Sequence, residues 1–363
     1  MTHAVHTSDT ISSPSNHTPQ PSQIGRDEQL HAWLTQVYPK QVFTHARIPG
    51  DASFRGYHRL TVGGNKFIVM DAPPDKESVN AFITVDKLMA GVVHVPTIFA
   101  VDETQGFVVL EDLGDTDFAD VISNDVSGYK AETKRHYRQA MNEILAIQQI
   151  NIKDAQAILP YYDEVLLRRE MGLFTDWFLP YIGVAFTRET EQLWQDVQAD
   201  IVKQVTAQPQ VVVHRDFHSR NLMILENTDR LGVIDFQDAV IGAYTYDLAS
   251  LLRDAYIDFD ENWVTTQLDT YYQLANIEKS LAAFTIDFNM MSMQRHLKVL
   301  GIFVRLFERD GKERYLANLP KVFQDLLACL SAMTARGERN NFDKFDDWLT
   351  GVVRPAFDKK MQG

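Results

Sequence analysis

The stretch VVVHRDFHSRNLMIL, Val211 to Leu225, sets a carboxylate, two imidazoles and a carboxamide between two apolar runs. Asp216 stands between His214 and His218, Asn221 follows, and Asp235 lies further on in LGVIDF. Carboxylate and carboxamide oxygens are hard donors that suit Mg²⁺. Asp216, Asn221 and Asp235 therefore form a candidate magnesium cluster if the chain brings them together. His214, Asp216 and His218 with Asp235 could instead ligate a transition metal in a hydrolase, a reading that needs further His ligands in a motif the chain does not offer.

The flanking segments supply the positioning. VVV and LMIL read as buried strands, ENTDR as a turn, and LGVIDF as the returning partner of a hairpin. The polar residues then occupy a loop pinned at both ends, which holds side chains rigidly enough for chemistry. Upstream, RDEQLHAWLTQVYP reads as a first helix. FRGYHRLTV and KFIVMDA, joined by GGN, read as an antiparallel hairpin. SVNAFITVDKLMAG has helical spacing and stops at a glycine, and VPTIFAVD and GFVVLEDLG read as two more strands. After Gly114 helical patterns dominate, including YKAETKRHYRQAMNEILAIQQI, YYDEVLLRREMGLFTDWFLPYI and RETEQLWQDVQADIVKQV. The expected fold is α+β with two lobes: a polar disordered tail over 1–25, a small antiparallel β lobe over 26–113, and a large helical lobe over 114–363. A cleft between lobes is a usual ligand site.

Bulk properties narrow the class. A chain of 363 residues, 45% hydrophobic, can bury two such lobes. The formal charge of -14 disfavours nucleic acid and anionic membranes as partners. The single cysteine, Cys329 in FQDLLACLSAM, precludes an intramolecular disulfide and reads as a buried helical residue. The opening MTHAVHTSDTISSPSNHTPQPSQ lacks the basic start and apolar core of a secretory signal, and no apolar run reaches membrane-span length. The expectation is a cytoplasmic monomer acting on small molecules.

The His-x-Asp-x-x-x-x-Asn spacing, followed by Ile-Asp-Phe and YDLASLL, resembles the protein-kinase-like phosphotransferases, nearest to the aminoglycoside phosphotransferase and choline kinase branch. GDASFRGYHRL, MDAPP, LRREMGLFTDWF and RDGKERYLANLP extend the likeness to the bacterial anomeric kinases of N-acetylmuramate and N-acetylglucosamine, from about residue 27 onward. The resemblance implies ATP-dependent phosphorylation of a sugar C1 hydroxyl in cell-wall recycling. In that scheme Asp216 is the catalytic base, Asn221 and Asp235 hold Mg²⁺, His214 packs the loop against the Asp235 segment, and Asp247 caps the helix LASLL and hydrogen-bonds the loop. Ser53, Phe54 and Arg55 would cover the phosphates, the backbone of Glu111 and Leu113 would pair with adenine, and His218 would reach the γ-phosphate or cap the loop. Arg168, Arg169 and Arg220 are candidates for an acidic group on the sugar; Phe174, Trp177 and Tyr161 could stack on it or fill the core. The third-strand Lys of the wider family is replaced by Met70, and its helix Glu is missing too. Arg55, Arg59, Lys66 and Lys76 are the candidate cations to replace that Lys. Other readings are an aminoglycoside, choline or small-alcohol kinase, a metal-dependent hydrolase, or a nucleotide-binding module without catalysis.

Overall fold

The computed structural model describes residues 25–49, 55–123, 125, 127–226, 228–334 and 340–362. The N-terminal tail and the candidates Ser53 and Phe54 lie outside them.

Five antiparallel strands form the first sheet, in the order β1 (Phe43–Ile48), β2 (Gly56–Val62), β3 (Asn65–Asp71), β5 (Phe107–Glu111), β4 (Ile98–Asp102). The β2–β3 hairpin turns at Gly63 and Gly64, whose φ angles of 55° and 88° favour residues without a Cβ. Helix α1 (Arg26–Val37) covers one face: Leu30, Trp33 and Leu34 bury against Leu60, Val62, Val69, Phe107 and Val109. Arg26 fixes its start, donating to Asp71 at 2.8 Å and lying 4.0 Å from the Phe107 ring. Helix α2 (Val79–Met89), capped by Ser78, adds Phe82, Val85 and Met89 to a core that runs on into the helical lobe.

That lobe is built from α3 (Ala131–Gln148), α4 (Glu164–Leu173), α5 (Arg188–Thr206), α6 (Tyr246–Leu252), α7 (Glu261–Leu274), α8 (Leu281–Asp310) and α9 (Leu319–Thr334), with further short turns. Helix α8 is 30 residues long and lies at its centre. Gly301 is required there, because a Cβ would meet the Leu173 carbonyl at 2.2 Å. Two short antiparallel pairs carry the polar loop: β6 (Gln210–Val213) with β9 (Val240–Ala243), and β7 (Leu222–Ile224) with β8 (Leu231–Val233). The β7–β8 hairpin is the one expected from LMIL and LGVIDF. Strand β9 was not anticipated; it is four residues long and runs into α6 almost at once.

The segment YYDEVLLRREMGLFTDWFLPYI is less uniform than its pattern. Helix α4 starts only at Glu164, capped by Asp163, and Phe174–Phe178 widens into a π turn before Pro180. Proline offers no N–H to a regular α ladder, and a π turn is one way of meeting that break.

Candidate active site

The catalytic loop is held from beneath by Asp247. Its two carboxylate oxygens accept from the backbone N–H groups of His214 and Arg215 at 2.8 and 2.9 Å. Asp247 lies inside α6 rather than capping it, so its charge is spent on the loop; burial pushes its pKa up to about 6 against the pull of His214. His214 Nε2 donates to the Ile234 carbonyl at 3.0 Å, tying the loop to the strand that leads to Asp235. Arg215 and Asp235 sit at positive φ, 79° and 66°, a conformation non-glycine residues adopt only where their surroundings enforce it.

These constraints bring the three oxygen-bearing residues together. Asn221 donates from Nδ2 to the Asp216 carbonyl at 2.9 Å and lies 3.4 Å from Asp235 Oδ2. Its other neighbour is His218 Nε2 at 3.5 Å. Gln237 donates to the second Asp235 oxygen at 2.8 Å. Asp235 is solvent-exposed while Asn221 and Asp216 are half-buried, so the cluster opens to solvent. An exposed carboxylate with a carboxamide side chain next to it is the donor chemistry of a hard divalent cation; here the Asn221 amide nitrogen faces Asp235, so the amide must turn over to present its oxygen. Among the described residues no trio of His, Asp and Glu ligand atoms converges at this loop, which leaves the transition-metal reading without its ligand set.

Burial would raise the Asp216 pKa, but Lys298, His218, Arg295 and Arg215 outweigh it and hold the carboxyl below its ordinary value. Behind the loop, Glu170 of α4 faces inward, bound by Arg215 and by Lys298 at 3.1 Å, with Tyr162 donating to it as well. Lys298 also donates to the Tyr246 hydroxyl at 3.1 Å, and Gln294 to that of Tyr162 at 2.8 Å. Glu170, Arg295 and Lys298 did not emerge from the sequence reading. Their one signal was MSMQRHLKVLGIF, where Gln, Arg and Lys interrupt an apolar helix that has to be buried.

The remaining candidates separate. Arg168 pairs with Glu164 along the partly exposed side of α4 and Arg169 is exposed, whereas Glu170, one residue on, faces the loop. Arg220 is exposed and lies 3.8 Å over the Tyr256 ring. His218 meets the same ring edge-on, 5.4 Å between centroids, and burial lowers its pKa. Phe174 is core, Trp177 packs against the core, and Tyr161 is exposed.

Between the lobes, Glu111 turns its carboxylate to Thr97 at 2.9 Å and His94 at 3.2 Å, and its N–H donates to the Thr97 carbonyl at 2.9 Å. Leu113 is different: its peptide groups take part in no hydrogen bond among the described residues. Its side chain rests on Gly232, where a Cβ would come within 2.7 Å of Leu113 Cδ1. Arg59 clamps the connector, bonding Asp112 at 2.8 Å and Asp115. Lys66 is exposed at the hairpin tip and Lys76 faces Asp75 at the surface. Arg55 pairs with Glu77 beside Tyr57, whose hydroxyl feels the charge of Asp235. Met70 is fully buried opposite Tyr57. In place of an ionic link between lobes, Phe236 of the Ile-Asp-Phe segment packs on Phe82 of α2, ring centroids 4.8 Å apart.

A small antiparallel sheet hinged to a helical lobe, with an Asp–Asn–Asp cluster at the junction, defines a kinase-like phosphotransferase fold. The profile of the phosphotransferase enzyme family (APH) matches residues 44–284, and the chain belongs to that family. It is an enzyme, a phosphotransferase. The N-acetylmuramate/N-acetylglucosamine kinase of Pseudomonas aeruginosa is 38% identical over 322 residues, spanning 84% of this chain and 92% of that one. Its namesake in Neisseria meningitidis serogroup B is 40% identical over 303 residues, spanning 82% and 88%. Among solved structures, a Ralstonia eutropha protein of the aminoglycoside phosphotransferase type superposes with a TM-score of 0.61 at 16% identity, over 86% of this chain and 99% of that one. The GDP complex of aminoglycoside 2'-phosphotransferase-IIIa gives 0.57 at 16% identity, over 81% and 97%. These two likenesses concern the fold. Among the described residues no helix is long and apolar enough to cross a membrane.

Proposed function

We propose that the chain transfers the γ-phosphoryl group of ATP to the anomeric hydroxyl of N-acetylmuramate or N-acetylglucosamine. The observation that carries the transfer is the Asn221 carboxamide set between the Asp216 carbonyl and the Asp235 carboxylate. The sugar assignment rests on the relatives at 38% and 40% identity that bear this activity in their names.

Asp216 is the base. Held ionised below its ordinary pKa, it orients the C1 hydroxyl toward the γ-phosphorus and takes its proton as the new O–P bond forms and ADP leaves. An anomeric hydroxyl is more acidic than other sugar hydroxyls, so a carboxylate of ordinary strength suffices. Asn221 and Asp235 would hold Mg²⁺, which when bound neutralises phosphate charge. Leu113 offers its open peptide edge to the adenine. His218 steadies Asn221, and Arg220, exposed on the same loop as Asp216, is the arginine candidate assigned to a sugar carboxylate. The lobe boundary falls at the connector, residues 111–114. We take the protein to act as a cytoplasmic monomer, without nucleic acid or membrane partners.

The test is incubation with ATP, Mg²⁺ and a panel of N-acetylmuramate, N-acetylglucosamine, aminoglycosides and choline, with phosphate position read by NMR. C1 phosphorylation of the amino sugars is expected. Phosphate on an exocyclic hydroxyl, or turnover of aminoglycoside or choline alone, overturns the assignment.

A further inference from the structure

Away from the cleft, three side chains with metal-ligand chemistry meet where α1 covers the sheet. They are Asp27 in the first turn of α1, His45 in β1 and His58 in β2, and one ligand atom of each lies within 4.8 Å of the others. The strand register explains the meeting. His45 faces Leu60 and Arg47 faces His58, so the imidazoles are diagonal neighbours on one side of the ladder, centroids 5.5 Å apart. Arg26, locked to Asp71, places the next residue, Asp27, above them, 3.9 Å from His45 Nδ1.

A second observation points to a ligand. His58 is only 7% exposed, and its Nδ1 has no hydrogen-bond partner among the described residues. A buried polar atom without a partner needs an explanation, and an absent ion or water is one.

We propose that Asp27, His45 and His58 form a binding site for a divalent transition-metal ion of the zinc type. Two imidazoles with one carboxylate suit Zn²⁺, Co²⁺ or Ni²⁺ and not Mg²⁺. In a tetrahedral site with bonds of about 2.0–2.1 Å, ligand atoms stand roughly 3.4 Å apart. Asp27 is largely exposed and free to swing in, which also leaves an entry path. Water completes the shell, or His31, whose ring lies 5.7 Å from that of His45. The ion would staple α1 to β1 and β2. Strand β2 also carries Arg59, which clamps the connector.

The test uses the full chain, freed of metal by chelator and free of nucleotide. Zinc is measured by equilibrium dialysis with elemental analysis, and the thermal midpoint with and without zinc. One zinc per chain is expected, with a raised midpoint. Co²⁺ in its place should give the visible absorption of a tetrahedral nitrogen–oxygen site. His45→Gln, at a partly exposed strand position, and His58→Gln should each weaken binding at least about tenfold, since ligand-set losses of this kind cost that much. No zinc bound by the wild-type chain overturns the proposal. So does unchanged zinc binding by folded His45→Gln, which would place the ion on other histidines.

Discussion

Replacing Lys298 by Met removes the cation that does most to keep Asp216 ionised. Lys298 is 7% exposed, 3.1 Å from Glu170, and the strongest of the charges that act on Asp216 against its burial. An opposite charge roughly 4–6 Å away moves a carboxyl pKa by about 1–3 units. His218, Arg295 and Arg215 remain in the variant, so the expected rise is about 1–2 units, or about 1.4–2.7 kcal/mol. The sign follows from the depressed pKa. In the wild-type enzyme the active carboxylate persists as pH falls until that low value is reached. In Lys298→Met the loss begins at higher pH. The acid limb of kcat/KM for sugar-dependent ADP release should therefore shift upward by about 1–2 pH units, with the alkaline side little changed. Glu170 keeps Arg215 and Tyr162, so the stability cost should fall below the roughly 3–5 kcal/mol of a fully orphaned buried charge. Lys298→Arg separates charge from packing and should leave the acid limb near the wild-type position. A folded Lys298→Met enzyme with an unmoved acid limb would refute the reasoning. So would a Lys298→Arg variant that shifts as far as the Met variant.

Asp216→Asn should lower kcat by about 10²–10⁴-fold with the circular-dichroism spectrum unchanged, as expected for loss of a general base; undiminished turnover rejects the assignment. Gly232→Val drives a side chain into Leu113, 2.7 Å from the Cβ position, so ATP KM should rise and stability fall by about 1–3 kcal/mol; nucleotide titration and thermal melts read both. Asp86 of α2 is buried beside a cavity of about 530 Å³, and burial, opposed by Lys87, raises its pKa to about 6. Its contribution to the fold is greatest below the unfolded-chain value of about 3.8 and declines as pH rises through 6, by at most about 3 kcal/mol and less where cavity water screens it. Asp86→Asn should flatten that decline, and denaturant melts at about pH 3.5 and about pH 7, on either side of the window, would reveal an unchanged slope if the idea is wrong.

What could be read in the chain was local. His214, Asp216 and Asn221 sit on one loop, Asp235 returns on the paired strand, and the bracing role of His214 follows from strands only a few residues away. The β2–β3 hairpin was equally plain, because alternation and two glycines coincide. The residues that escaped act across long stretches of sequence. Lys298 meets Asp216 only because α8 crosses behind the loop, and nothing near either residue records the approach. Arg59 looked like one phosphate-facing cation among four, yet two connector carboxylates claim it. Arg168 and Arg169 drew attention as a charged pair, while the next residue, Glu170, points inward: a helix advances its face by about 100° per residue, and only the neighbouring helix decides which face is buried.

Met70 is where the local and distant readings join. A protein-kinase-like cleft without its third-strand cation must meet nucleotide charge some other way. Where that cation would stand, the two lobes pack in part through Phe82 and Phe236, an apolar contact. Of the four candidate cations of the N-lobe, Lys66 and Lys76 face solvent, Arg59 is bound to the connector, and Arg55 already shares its charge with Glu77. On the proposed mechanism the burden of neutralising the phosphates shifts to the cation that Asn221 and Asp235 would hold. On that reasoning, turnover in this chain should depend on divalent metal more steeply than in a relative that keeps the Lys–Glu pair. Adding a third-strand cation as Met70→Lys should not restore activity at low magnesium, because Phe82 and Phe236 offer it no carboxylate and its burial would cost more than the phosphate contact returns.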